Sequence, residues 1–173
     1  MKTEYFKEYS PALGRDMEFM VYGHAGWPVL YIPCQDGRFH DFGDFHMADT
    51  LAPWIDSGQI IVFSVDTIDK ETWSDMNGDP YWRARRHEQW MSYLFSEMAP
   101  RMLEWTRQDG IIAFGCSLGA THAANLYLRR PDLFNGMLAL SGIYTASYGF
   151  HGYMDEVVYQ NSPVHYMANL PPD

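Results

Sequence analysis

The residues with the clearest chemical pattern are 115–119, which read Gly-Cys-Ser-Leu-Gly and match the spacing Gly-x-Ser-x-Gly. Residues 111–114 before them form a short apolar run, typical of a buried strand, and residues 120–129 after them favour a helix. A serine at this spacing between a strand and a helix is typical of a nucleophile elbow. The sharp turn holds the serine backbone in a strained conformation and lifts its hydroxyl clear of the sheet. We therefore predict that Ser117 is a catalytic nucleophile.

Two backbone amides are candidates for an oxyanion hole beside this serine. The first residue of a helix has no intrahelical acceptor for its amide, so the amide of Leu118 is free to bind a negatively charged oxygen. A second donor is expected after an earlier strand, where residues 33–37 read Pro-Cys-Gln-Asp-Gly. The amide of Gln35 or Asp36 is the candidate there. An ordinary turn at the end of a strand explains Asp36-Gly37 equally well. For the serine motif, the alternative to a catalytic role is a turn of small residues that only packs a helix on a strand.

Strands that alternate with helices predict an α/β architecture with a mostly parallel sheet. Residues 3–9 and 17–22 predict an N-terminal antiparallel hairpin with a turn between them. Short apolar runs predict buried strands over residues 29–32, 60–65, 111–114 and 137–141, and the segments between them predict helices over residues 47–55, 82–105 and 120–129. Pro100 is expected to kink or break the second helix. No linker or repeat divides the chain, so residues 1–173 predict a single domain.

Composition and charge argue against several kinds of partner. The net charge of −10 disfavours nucleic acid and anionic membrane surfaces, and the basic residues Arg83, Arg85 and Arg86 predict a small solvated face. No apolar run approaches the roughly 20 residues that a bilayer requires, and the N-terminus lacks the apolar segment of a signal peptide. A cytoplasmic location is therefore expected. No Cys-x-x-Cys or His-Glu-x-x-His spacing occurs, so no metal site is expected.

Aromatic residues near the predicted strand ends are candidates for substrate contacts. The loop over residues 66–79 follows a strand end and contains Trp73, and ligands of open α/β sheets bind at such ends. Tyr144 begins an aromatic tail that shapes a substrate pocket in this interpretation. Alternatively, Trp73 anchors a surface loop, and the tail exposes an apolar surface that drives association into a homo-oligomer. Cys116 is expected to point into the core, where a thiol is inert.

The residues around these motifs resemble the Putative esterase family of α/β-hydrolases, which is related to esterase D, feruloyl esterases and mycolyltransferases. The resemblance rests on residues 31–37, on Val65-Asp66 followed by Trp73, and on residues 115–125, and it extends from about Tyr5 to Leu140. It implies an α/β-hydrolase fold and hydrolysis of a small-molecule ester through Ser117, without a cofactor. Acyl transfer to an alcohol or a sugar uses the same groups and is a further alternative.

The rest of a catalytic triad has poor candidates. In this fold an acid and then a histidine follow the serine along the chain, but only one further strand is predicted. His122 is expected to pack or to hydrogen-bond, while His151 and His165 lie in an irregular tail. The remaining acids, expected to be solvated, are Asp155, Glu156 and Asp173.

The sequence therefore predicts an α/β-hydrolase sheet whose C-terminal strands are missing. Truncation, degeneration or completion by a second chain would each explain this, and truncation is favoured. The serine esterase is then impaired because its acid and base are absent from the chain. The alternative function is a catalytically inert binding or assembly module on a hydrolase fold.

Overall fold

A six-stranded sheet carries the turn that contains the Gly-Cys-Ser-Leu-Gly motif, and its strands coincide with the apolar runs of the sequence. The computed structural model describes residues 1–171. The strands are β1 (Thr3–Ser10), β2 (Arg15–Tyr22), β3 (Trp27–Ile32), β4 (Ile60–Val65), β5 (Ile111–Cys116) and β6 (Phe134–Leu140). Their order across the sheet is β1-β2-β4-β3-β5-β6. The first two strands pair antiparallel and β3 to β6 run parallel, which confirms the predicted mixed sheet with its N-terminal hairpin.

Helices cover both faces of this sheet. The helices are α1 (Asp41–Asp44), α2 (Met47–Thr50), α3 (Ala52–Asp56), α4 (Pro80–Tyr93), α5 (Ala99–Thr106), α6 (Leu118–Arg129), α7 (Ser147–Phe150), α8 (Glu156–Tyr159) and α9 (Pro163–Tyr166). Buried residues of α4, α5 and α6 join one apolar cluster with the strands, while α1 to α3 supply Phe42, Ala48 and Ile55 to a second cluster. The two clusters make the three-layer arrangement of an α/β fold.

Two predicted helices differ from the structure in their continuity. The helix predicted over residues 47–55 is divided into α2 and α3 at Leu51, whose φ of −93° and ψ of 3° are not those of an α-helix. Pro53, in the first turn of α3, has no amide to donate across the break. The helix predicted over residues 82–105 passes through a π-helical turn, Leu94–Met98. That turn lies directly before Pro100, where the missing amide disturbs the regular α-helical pattern.

A third apolar cluster lies behind the motif and joins segments that are distant in sequence. Trp73 follows β4, Leu118 begins α6, and Ala146 and Phe150 come from the segment after β6. All four side chains have at most 1% of their surface exposed. Burial of this kind fixes the loop after β4 and the C-terminal segment relative to the start of α6.

The last strand is an edge of the sheet within the described residues 1–171, since β6 pairs only with β5 there. Met137, Leu138 and Leu140 on this strand remain about half exposed. None of the helices found in residues 1–171 is both long enough and apolar enough to span a bilayer.

Candidate active site

Ser117 lies at a sharp turn between β5 and α6. Its backbone has φ 57° and ψ −123°, a region that residues with a side chain rarely adopt. Its amide donates to the carbonyl of Leu140 in β6 at 2.9 Å, and its carbonyl accepts from the amide of Ala120 at 3.0 Å, which opens the helix. The side chain is partly exposed. The backbone therefore has the strained strand-to-helix turn that the motif predicts.

Both glycines of the motif stand where backbone segments touch. A Cβ added at Gly115 would lie 2.1 Å from the carbonyl oxygen of Gly119, and one added at Gly119 would lie 2.2 Å from that of Pro33. Carbon and oxygen that are not bonded cannot approach so closely. The start of α6 therefore packs directly on the backbone at the end of β3.

The turn of residues 34–37, which we call the oxyanion turn, follows that contact. The amide of Gly37 donates to the carbonyl of Cys34 at 2.9 Å, and Asp36 adopts a left-handed φ of 61°. The amide of Asp36 donates to the Asp69 carboxylate at 3.1 Å, so Asp36 is the wrong one of the two predicted oxyanion donors. The amide of Gln35 has no acceptor within residues 1–171, and its role as an oxyanion donor stays a prediction.

Other residues with positive φ also lie at this edge of the sheet. Ser141 directly follows β6 and has a φ of 56°, and Tyr144, three residues further on, has a φ of 55°. The amide of Tyr144 donates to the hydroxyl of Thr121 in α6 at 3.3 Å. Strained backbone of this kind clusters at functional sites. Tyr144 is partly exposed beside the start of α6, and its role in substrate binding stays a prediction.

Trp73 has a different environment from the one that its loop position suggests. Its side chain is fully buried, stacks edge-on against Phe150 at a centroid distance of 5.3 Å, and donates from Nε1 to Nδ1 of His87 at 3.3 Å. A side chain with no accessible surface does not line an open wall. The structure therefore gives Trp73 a packing role in place of the substrate contact predicted for it, because the distant Phe150 segment covers it.

The two cysteines line a cavity next to the motif. This cavity has a volume of about 240 Å³ and its walls are Tyr31, Cys34, Phe45, Met47, Phe114, Cys116 and Leu140. Cys116 is partly exposed, so the expectation that it points into the core is wrong. Burial, followed by the neighbouring Cys116 thiol, raises the pKa of the Cys34 thiol. The cavity therefore offers an apolar surface between Cys116, which precedes Ser117, and Cys34, which precedes Gln35.

The predicted alternatives for a catalytic base and acid have other partners. His122 is fully buried and its Nε2 lies 3.3 Å from a carboxylate oxygen of Asp69, as its packing or hydrogen-bonding interpretation requires. His165 contacts the hydroxyl of Ser162 at 2.6 Å, and His151 is exposed. Throughout residues 1–171, no histidine nitrogen makes a hydrogen bond to Ser117.

The acidic residues predicted as alternatives alongside these histidines lie in the C-terminal segment. Asp155 caps the start of α8 through the amide of Val158 and pairs with Arg85 at 2.9 Å. Glu156 is exposed. Asp173 lies outside the described residues.

Arg83 and Asp69 are buried charged residues, and the sequence predicted the burial of neither. Arg83 is 3% exposed, so the prediction of a solvated face is wrong for it; it donates to the carbonyl oxygens of Thr72, Trp73 and Gly149. It thereby fastens the loop after β4 to the segment after β6. Asp69 is one of four aspartates in residues 66–79, and nothing in the sequence distinguishes it from the others.

His87 packs against His122 behind the motif, with ring centroids 4.9 Å apart. Burial, followed by the nearby His122 and Arg129, holds the pKa of His87 well below its usual value of 6.5. The folded protein therefore keeps His87 neutral while the unfolded chain binds a proton below pH 6.5. Stability is fully present above that pH and falls as the pH decreases, by up to about 1.4 kcal/mol per pH unit from this group.

The His87→Asn variant tests this pH dependence, because its amide oxygen can still accept from Trp73 and it does not titrate. Between pH 7.5 and pH 5, its free energy of unfolding in urea is expected to fall less steeply than that of the wild-type protein. Parallel curves for the two proteins would contradict the assignment to His87.

Comparison with known proteins identifies the family of this chain. The sequence profile of the Putative esterase family matches residues 10–169. The chain belongs to that family. A search of curated proteins found no match.

Solved structures confirm the fold of this esterase-family chain. It is similar to a ferulic acid esterase with a TM-score of 0.70 and 18% identity, over 98% of this chain and 72% of that chain. An S-formylglutathione hydrolase from Staphylococcus aureus gives a TM-score of 0.67 at 10% identity, over 97% and 71%. Fluorophosphonate-binding serine hydrolase F of the same organism gives a TM-score of 0.64 at 12% identity, and the match covers 97% of this chain and 72% of that chain. The fold is that of the α/β-hydrolase esterases.

Proposed function

We propose that this protein is a serine carboxylic-ester hydrolase that acts through an acyl-enzyme on Ser117. The observation that supports this most strongly is the backbone at Ser117, held at φ 57° between β5 and α6. Such strain requires compensation from the surrounding fold, and it persists where a side chain must be presented in one direction. The surrounding backbone is closely packed here, since a Cβ added at Gly115 or Gly119 would clash with it.

The proposed reaction begins with attack of the Ser117 hydroxyl oxygen on the ester carbonyl carbon. The carbonyl oxygen becomes negatively charged, and the amides of Leu118 and Gln35 donate to it. A general base takes the serine proton and returns it to the leaving alcohol as the C–O bond breaks. Water then hydrolyses the acyl-enzyme by the same steps. The reaction needs no cofactor.

The substrate class that we propose is a small ester with an apolar group. The 240 Å³ cavity beside Cys34 and Cys116 is almost wholly apolar, which favours a short aliphatic or aryl group over a charged one. The names of the similar structures, a ferulic acid esterase and an S-formylglutathione hydrolase, support hydrolysis of acyl compounds of modest size.

Release of p-nitrophenol from its acetate and butyrate esters tests this function. The folded protein is expected to release p-nitrophenol faster than protein that is unfolded in urea and then assayed in a buffer containing enough urea to keep it unfolded. Equal rates for the folded and unfolded protein would contradict the proposal, because no organised site would then contribute.

One observation favours a second function, a binding module on the hydrolase fold without turnover. No histidine in residues 1–171 makes a hydrogen bond to Ser117, and a serine hydroxyl is a weak nucleophile without a neighbouring base. A protein that neither hydrolyses these esters nor reacts with a fluorophosphonate at Ser117 would fit this second function and exclude the first.

A further inference from the structure

A single buried carboxylate connects the oxyanion turn to the helix that begins at Ser117. Asp69 is 2% exposed. One of its oxygens accepts the amide of Asp36 at 3.1 Å, and the other lies 3.3 Å from Nε2 of His122. His122 lies in α6, five residues after Ser117, and is fully buried. The two halves of the proposed site therefore share this one side chain.

We propose that Asp69 and His122 are positioning residues, which hold the oxyanion turn so that the free amide of Gln35 faces the oxygen bound next to Ser117. The inference rests on the proposed function. A buried carboxylate is unfavourable unless both of its oxygens have donors, and Asp36 and His122 are those donors. Because the Asp36 amide is occupied, the adjacent Gln35 amide is the one left to bind a substrate oxygen.

The contact with Asp69 determines which ring nitrogen of His122 acts as the donor. Nε2 must carry a hydrogen to donate to Asp69, and Nδ1 has no partner within residues 1–171. The ring is enclosed by Trp73, His87 and Trp90 at centroid distances of 4.9 to 5.5 Å. It has no hydrogen bond to Ser117, so the Asp69–His122 pair does not act as the acid and base of the reaction. Its role is to fix the position of the turn.

Asp69 is itself held in place by its backbone. Its carbonyl accepts the amides of Thr72 and Ser74 at 2.9 Å and 2.8 Å. A second link between the same two loops runs from the Gln35 side chain to the hydroxyl of Ser74 at 2.7 Å. Ser74→Ala removes that second link without touching the carboxylate. It is therefore the matched control for substitutions at Asp69.

Amide hydrogen exchange and steady-state kinetics on Asp69→Ala, Asp69→Asn and Ser74→Ala test the proposal. In Asp69→Ala the Asp36 amide is expected to exchange about tenfold faster or more, since its bond to a charged acceptor is lost. Asp69→Asn keeps an acceptor oxygen and is expected to restore most of the protection. Misplacing a transition-state donor by about 1 Å lowers kcat by up to about 100-fold, so kcat is expected to fall in Asp69→Ala with KM nearly unchanged.

The exchange measurement separates this proposal from the proposed function. If the wild-type protein hydrolyses no ester, the proposed function fails, and the exchange of the Asp36 amide still decides whether Asp69 holds the turn. Unchanged exchange at Asp36 in both Asp69 variants would overturn the proposal. So would an equal fall of kcat in Ser74→Ala and Asp69→Ala, or a fall in Asp69→Ala that appears in KM alone. Should Asp69→Ala fail to fold, His122→Phe keeps a ring in the cluster and is expected to lower kcat without changing KM.

Discussion

Ser117→Ala is expected to lower the hydrolysis of p-nitrophenyl acetate by about 1,000-fold or more, because it removes the atom that attacks the ester. The loss should be chemical and not structural. Ser117 is the N-cap of α6 but its side chain makes no capping hydrogen bond. The free energy of unfolding of the Ser117→Ala variant in urea is therefore expected to stay within about 1 kcal/mol of the wild-type value.

The matched control for this variant is Ser92→Ala, which removes an exposed serine hydroxyl from α4. It should hydrolyse the ester at the wild-type rate. If Ser117→Ala kept that rate too, the attacking role assigned to Ser117 would be wrong, and the strained turn would have a purely structural explanation.

Gly119→Ala is expected to destabilise the protein by about 3 kcal/mol or more, although an alanine is normally favoured over glycine inside a helix by about 0.5–1 kcal/mol. The added methyl would lie 2.2 Å from the Pro33 carbonyl oxygen and 2.4 Å from that of Ile32. Neither backbone group can rotate away as a flexible side chain would. Relief of the clash requires α6 to move from the end of β3, and this movement would also displace the oxyanion turn.

Urea unfolding of Gly119→Ala beside Gly136→Ala checks this prediction. At Gly136, in β6, the nearest atom to an added Cβ is Cγ1 of Ile112 at 3.5 Å, an ordinary contact. The control is therefore expected to change stability by less than about 1 kcal/mol. Equal stability of both variants would show that the backbone contact between α6 and β3 is looser than the structure has it.

The strands and the motif could be predicted because the signals for both are local. The run at residues 60–65 forms β4 as predicted, and the motif's strand and helix lie where its apolar and small residues place them. Breaks within helices were harder to predict. The division between α2 and α3 depends on the backbone angles of the single residue Leu51, and sequence periodicity does not reveal the angles of one residue.

The surroundings of the site depend on contacts between distant parts of the chain. Trp73 is buried by Phe150, which is 77 residues later, and Asp36 loses its free amide to Asp69, 33 residues later. Neither partner carries a sequence signal that separates it from the other aromatic or acidic residues nearby. The choice between Gln35 and Asp36 as oxyanion donor therefore required coordinates. The exposure of Cys116 also required them, since it depends on which residues line the adjacent cavity.

Covalent labelling of the folded protein with a fluorophosphonate tests the central claim most directly. Cleavage after Arg107 and Arg129 releases residues 108–129, a peptide in which Ser117 is the single serine. The account predicts one adduct per chain by intact mass, located on Ser117 in that peptide and abolished by prior unfolding in urea. A folded protein that stays unlabelled, or that carries its adduct on another residue, would contradict it.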